Sequence, residues 1–126
     1  MHGCDCNDNP VTSFWRFSIC AQEWEASLEP IRAVIGANDG ASLAWDGGRF
    51  LYATVGGANE SKRGIEANGD EFFRFDLESM DWETLSPLPG LVGDTPGNRL
   101  AIVNGHLFLW VGSVSGNGVF RMKLAD

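Results

Sequence analysis

The chain has 126 residues and a formal net charge of −8, from nine Lys plus Arg against seventeen Asp plus Glu. That length is one small domain, and the acidic balance argues against a basic nucleic-acid groove or docking on anionic membranes, both of which need clustered positive charge. The longest uninterrupted apolar run, Leu107–Val111, falls far short of the ~20 residues that span a bilayer, and no basic-then-apolar start suggests a signal peptide, so the expected location is the cytoplasm.

Residues 1–12 read as a flexible tail carrying His2, Cys4 and Cys6, and residues 13–126 as the folded part. The first element is Ser13-Phe14-Trp15-Arg16-Phe17-Ser18, followed by Trp24 in Gln22–Pro30. A Pro-containing connection, 29–40, leads to the apolar strand Ala41–Trp45, then the turn Asp46-Gly47-Gly48 and the strand Arg49–Gly57. A long polar connection, 58–70, precedes Glu71-Phe72-Phe73-Arg74-Phe75-Asp76, a second copy of the first element. Trp82 follows it as Trp24 follows the first; Trp24 and Trp82 are 58 residues apart, as are Phe14 and Phe72. After the connection 86–98, Arg99–Val103 matches Ala41–Trp45, setting Leu43 against Ala101, and His106–Ser113 matches Arg49–Gly57, setting His106 against Arg49. Asn104-Gly105 stands between them, a strong tight-hairpin signal because a type I′ turn needs positive φ at both central residues. Val119-Phe120-Arg121-Met122 is a third, shorter copy of the aromatic-Arg element.

These ordered blocks resemble the kelch repeat: an apolar strand, a Gly turn, an apolar strand ending in Gly-Gly, a variable loop, an aromatic strand ending near Asp, then Trp. In this sequence they run from Leu43–Trp45 through Gly56-Gly57 and Phe72–Asp76 to Trp82, with Gly112-Ser113 departing from Gly-Gly in the later copy. The resemblance implies an all-β fold of propeller blades, each of four antiparallel strands a to d. The expected strand set is c-d, a-b-c-d, a-b-c, an incomplete ring in one chain. Alternation puts Phe73, Phe75 and Leu77 on one side of strand c and Phe72, Arg74 and Asp76 on the other. The aromatics are expected to pack in the core between blades. Two blades cannot close a ring of 4–8, so self-association is expected, strand d of one chain completing a-b-c of the next and three chains giving six blades. The rival expectation is a piece of a longer propeller chain.

No catalytic constellation is legible. Cys4-Asp5-Cys6 resembles half a metal or redox site, but a zinc site needs about four ligands, and the expectation is two tail thiols plus Cys20 in the core. Kelch-like copper radical oxidases need more tyrosine than the single Tyr52. Gly112-Ser113-Val114-Ser115-Gly116 carries Val114 where a nucleophile elbow has Ser. Carboxylates such as Asp70, Glu71, Glu78, Asp81, Glu23 and Glu25 read as solubility and edge protection. No metal and no cofactor are expected.

The long b–c and d–a connections fall on one face of such a blade, and loops on a rigid scaffold are where function tends to sit. That face is expected to carry Arg32, Lys62, Arg63 and Arg99. Ring-facing Arg in kelch-like proteins grips acidic peptides, and the planar guanidinium suits a carboxylate fork. The expected function is therefore a non-catalytic protein- or peptide-binding module. The alternative is a small enzyme or sugar-binding protein with an axial pocket, resembling kelch-like epimerases and lyases.

Overall fold

Short turns set the strand pairs. The computed structural model describes residues 12–31, 41–55, 71–88, 99–113 and 116–124. Its strands are β1 (Phe17–Ser18), β2 (Glu23–Trp24), β3 (Ser42–Trp45), β4 (Phe50–Thr54), β5 (Phe72–Asp76), β6 (Asp81–Thr84), β7 (Arg99–Val103), β8 (His106–Ser113) and β9 (Gly116–Lys123). Between β3 and β4, Gly47 takes φ +86°, and Asp46 Oδ1 accepts the N–H groups of Gly48 at 2.8 Å and Phe50 at 3.1 Å. Between β7 and β8, Asn104 and Gly105 take φ +50° and +70°, the two positive values a type I′ hairpin demands. Between β1 and β2, and again between β5 and β6, the last turn residue is left-handed: Gln22 at φ +56° and Met80 at +60°.

The strands form three antiparallel sheets: β1-β2, β3-β4-β5-β6 and β7-β8-β9. The described residues contain no helix, and so none that could cross a membrane. The architecture is all-β, as the strand and turn signals require.

Alternation divides the middle sheet into two faces. Face A carries Phe50, Tyr52, Thr54, Phe72 and Arg74; face B carries Leu51, Ala53, Phe73, Phe75 and Trp82. Face A packs on the C-terminal sheet, where Tyr52 and Phe72 share one core cluster with Leu107 and Leu109, flanked by Phe50, Leu100 and Ile102. Face B packs on the N-terminal segment, where Phe73, Phe75, Val55 and Trp82 cluster with Ile31, flanked by Phe14 and Leu28. A sheet buried on both faces explains strands that are apolar on both sides.

The ladders correct the repeat register. Ala44 faces Tyr52 and Tyr52 faces Arg74; likewise Ala101 faces Phe108 and Phe108 faces Arg121. These matching rows equate Leu43 with Leu100, not with Ala101. His106, paired with Lys123, occupies the place of Phe50, paired with Asp76, rather than that of Arg49. Strands apolar on both sides do not mark their own faces, and the two-residue turn before β8 is shorter than Asp46–Arg49. In the corrected register Ala101, Phe108 and Arg121 define face A of the C-terminal sheet, and Leu100, Ile102, Leu107 and Leu109 define face B. The middle and C-terminal sheets therefore stack head to tail, face A of the first on face B of the second.

Two further expectations change. Core packing holds for Tyr52, Phe72, Phe73, Phe75 and Trp82, but Trp15, Phe17, Trp24, Trp45 and Trp110 are exposed. They lie where no described sheet covers them. Cys20 is an exposed free thiol in the turn before β2, not a core residue, because that turn projects beyond the packed faces.

Candidate functional site

Antiparallel pairing gives the middle and C-terminal sheets two distinct ends. At one end lie Ser42, Thr54, Phe72 and Arg99, the residues that begin or finish β3, β4, β5 and β7. The described strand ends flanking residues 56–70 and 89–98 are here, as is the start of β3 after 32–40. At the other end lie the tight turns before Phe50, Asp81 and His106.

The first end is organised around adjacent strands β3 and β7. Leu100 N–H donates to Ser42 Oγ at 2.9 Å, so a side-chain oxygen bridges two sheets whose backbones are not in one ladder. Arg99 precedes this bridge and is exposed, opposite Trp110 in the β7–β8 ladder. Thr54 lies at the same end and is buried, and its Oγ1 is without a hydrogen-bond partner among the described residues. Of the four candidate basic residues, Arg99 is placed at this end. Arg32, Lys62 and Arg63 lie outside the described residues.

At the tight-turn end Arg49 is held in ion pairs. Arg49 Nε donates to Asp76 Oδ1 at 2.8 Å, a second guanidinium nitrogen pairs with Asp76 Oδ2, and Arg49 Nη1 reaches Glu78 Oε2 at 2.9 Å. Asp76 Oδ1 also accepts the Glu78 N–H at 2.9 Å. Its carboxyl is held well below the usual carboxylate range, first by the Arg49 hydrogen bond and then by the backbone donors of Glu78 and Ser79. This arrangement closes a turn and leaves the carboxylate acceptor-only.

A second fork crosses the outer strands twice. Arg74 Nε donates to Glu83 Oε2 at 3.0 Å, and Arg16 Nε donates to Glu25 Oε2 at 2.7 Å, each pair spanning the same interval. Arg74 also lies over the Phe50 ring, 4.1 Å from its centroid, a cation–π contact. The Glu83 hydrogen bond raises the Arg74 pKa. Sequence reading missed both forks, although the signal was present: Arg16 and Glu25 recur in register as Arg74 and Glu83.

The remaining candidates are structural. Tyr52 stacks on Phe72 with centroids 5.9 Å apart. His106 Nδ1 lies 3.0 Å from the Asn104 carbonyl, tied to its own hairpin. Among the described residues, no three His, Cys, Asp or Glu are grouped so as to hold a metal ion. No protein-family model matches the chain, and no curated protein matches it in sequence.

Proposed function

We propose that the chain is a non-catalytic interaction module of kelch-like blades that binds an acidic peptide or protein segment at the end carrying its basic connections. The observation that carries this reading is the shared strand end: Arg99 begins β7 there, beside Ser42, and the connections containing Arg32, Lys62 and Arg63 are flanked by strand ends on that side. Three carboxylates, Asp76, Glu78 and Glu83, are held by Arg49 and Arg74 away from this end, so these three do not compete with an acidic ligand for its basic residues. The blade reading draws its support from three antiparallel sheets, of which the middle one lays face A on face B of the C-terminal one and shares its pattern of rows.

The test is a titration of a fluorescently labelled glutamate-rich peptide against the wild-type chain and a variant carrying Arg32→Ala, Lys62→Ala, Arg63→Ala and Arg99→Ala. The expected result is loss of at least about tenfold in affinity, since charge-assisted hydrogen bonds contribute roughly 1.5–3 kcal/mol each, with wild-type binding weakened by salt. Equal binding by wild type and variant, or no binding by wild type, overturns the reading.

A further inference from the structure

The stacking rule inside the chain leaves one face-B surface half covered. On the middle sheet, Phe75 and Trp82 lie under Phe14, with ring centroids 5.1 and 5.2 Å from it. Further in on the same face, Leu43 and Trp45 of β3 are exposed, at 43% and 58%. Their equivalents in the next sheet, Leu100 and Ile102, are partly buried against the cluster that contains Tyr52 of the middle sheet's face A. Equivalent positions are thus covered in one sheet and open in the other. What covers them is face A of the middle sheet: the β3–β4 hairpin, with Ser42 on the Leu100 N–H and Tyr52 in the cluster, together with Phe72 of β5.

The described residues hold one such hairpin with its face A open. On β7–β8, Phe108 stands where Tyr52 stands in the middle sheet, and Val103 and Trp110 beside it are exposed at 53% and 58%. We propose that two copies of this chain associate head to tail, the open face of β7–β8 in one copy covering Leu43 and Trp45 of the other. The interface extends the packing already present between the middle and C-terminal sheets, with Phe108 taking the role of Tyr52 and Leu43 that of Leu100. Buried aromatics at its centre fit the composition of interface hot spots. The two surfaces differ, so the contact is heterologous: it propagates, and it ends in a ring or in an open chain according to whether the rotation closes. It differs from completion of the C-terminal sheet by a borrowed edge strand, because it joins faces and leaves every ladder unchanged. The inference rests on reading the sheets as successive blades.

Light scattering behind size exclusion, from about 1 μM to about 1 mM, covers weak to moderate affinities. Wild type is expected to reach at least twice the mass of a single chain. Leu43→Lys blocks one surface and Trp110→Glu the other, and each variant alone is expected to stay at single-chain mass. Mixed in equal amounts they are expected to form a one-to-one dimer and nothing larger, because the intact β7–β8 of the first meets the intact Leu43–Trp45 surface of the second. A wild type that stays single-chain throughout overturns the proposal. So does association that survives either substitution, or folded variants whose mixture fails to pair. Near-UV circular dichroism verifies folding, and Val103→Lys replaces Trp110→Glu if the latter loses its tertiary signal. Peptide titration on the same samples separates the two readings: binding without assembly sinks this inference alone, and assembly without binding sinks only the peptide reading.

Discussion

Trp82 Nε1–H donates to the carbonyl of Glu29, 53 residues earlier in the chain, at 2.8 Å. That bond fastens β6 to the N-terminal segment, and the same indole packs on Phe75 at 5.0 Å and Phe14 at 5.2 Å. Trp24, its repeat equivalent, keeps the ring partner Phe17 at 5.3 Å but is 67% exposed where Trp82 is 7%. Large-to-small changes cost most where a cavity is left behind. Trp82→Ala is therefore expected to lose about 3–5 kcal/mol in urea unfolding, and Trp24→Ala about 1 kcal/mol or less. Comparable losses would mean that the N-terminal sheet is covered as fully as the middle one.

Asp76 carries the clearest pH dependence. Arg49 and two backbone donors depress its carboxyl in the folded chain, so the folded state binds that proton less readily than the unfolded state. Its stabilising contribution is present above the ordinary carboxylate pKa of about 3.9 and is lost as pH falls below it. Asp76→Asn is expected to be less stable than wild type at neutral pH, with the difference shrinking below about pH 4. Unfolding midpoints between neutral pH and acid check this; a constant difference would remove Asp76 from the acid response.

The Arg74–Glu83 fork is partly exposed on both sides. Exposed cross-strand ion pairs contribute little because solvent screens them. A double-mutant cycle with Arg74→Ala and Glu83→Ala is expected to give a coupling of about 0.2–1 kcal/mol, weakened by salt. Its recurrence as Arg16–Glu25 then reports repeat geometry rather than a large stabilising term.

Strand positions and pairs were legible in the sequence because turn chemistry marks them. Asn104-Gly105 and Asp46-Gly47-Gly48 could only be tight connections, and the Phe14–Trp24 block announced the Phe72–Trp82 block. The register of β7 and β8 was not legible, since Leu100–Val103 and Leu107–Trp110 are all apolar and only the ladder shows which residues face the core. Nor was the exposure of Trp24, Trp45 and Trp110, which depends on what covers each sheet rather than on residue type. At the candidate site, the basic residues were legible as charge on long connections. The Ser42–Leu100 bridge beside Arg99 was not, because a hydrogen bond between sheets leaves no periodic trace.

Gln22 and Met80 occupy the same left-handed place in the two aromatic-strand turns. A side chain there crowds the following carbonyl at a cost of roughly 1–2 kcal/mol. Gln22 is exposed, so its replacement leaves no cavity. Gln22→Gly is expected to raise stability by up to about 1 kcal/mol, after the greater freedom of Gly in the unfolded chain is set against the relieved strain. Met80→Gly is expected to gain less, because Met80 also packs on the Phe75–Trp82 cluster. The comparison of midpoints in one urea series checks both, and a gain at Met80 exceeding that at Gln22 would mean that the Met80 packing contributes less than the strain its side chain carries.

Among the described residues, Thr54 is the one buried polar residue of the core, 2% exposed, and its hydroxyl has no hydrogen-bond partner there. An unmet buried hydroxyl costs roughly 1–3 kcal/mol. Val has nearly the same shape, keeps the β-branch favoured in strands and removes that cost. Thr54→Val is therefore expected to be neutral or stabilising by about 1 kcal/mol, and Thr54→Ser destabilising, since it keeps the hydroxyl and deletes a methyl. The same pair tests whether this end of β4 serves ligand binding. If Thr54→Val stabilises the fold and leaves peptide affinity unchanged, the hydroxyl is an isolated packing defect. If it destabilises, the hydroxyl has a partner in the folded chain. If it weakens the peptide alone, Thr54 belongs to the binding end together with Arg99.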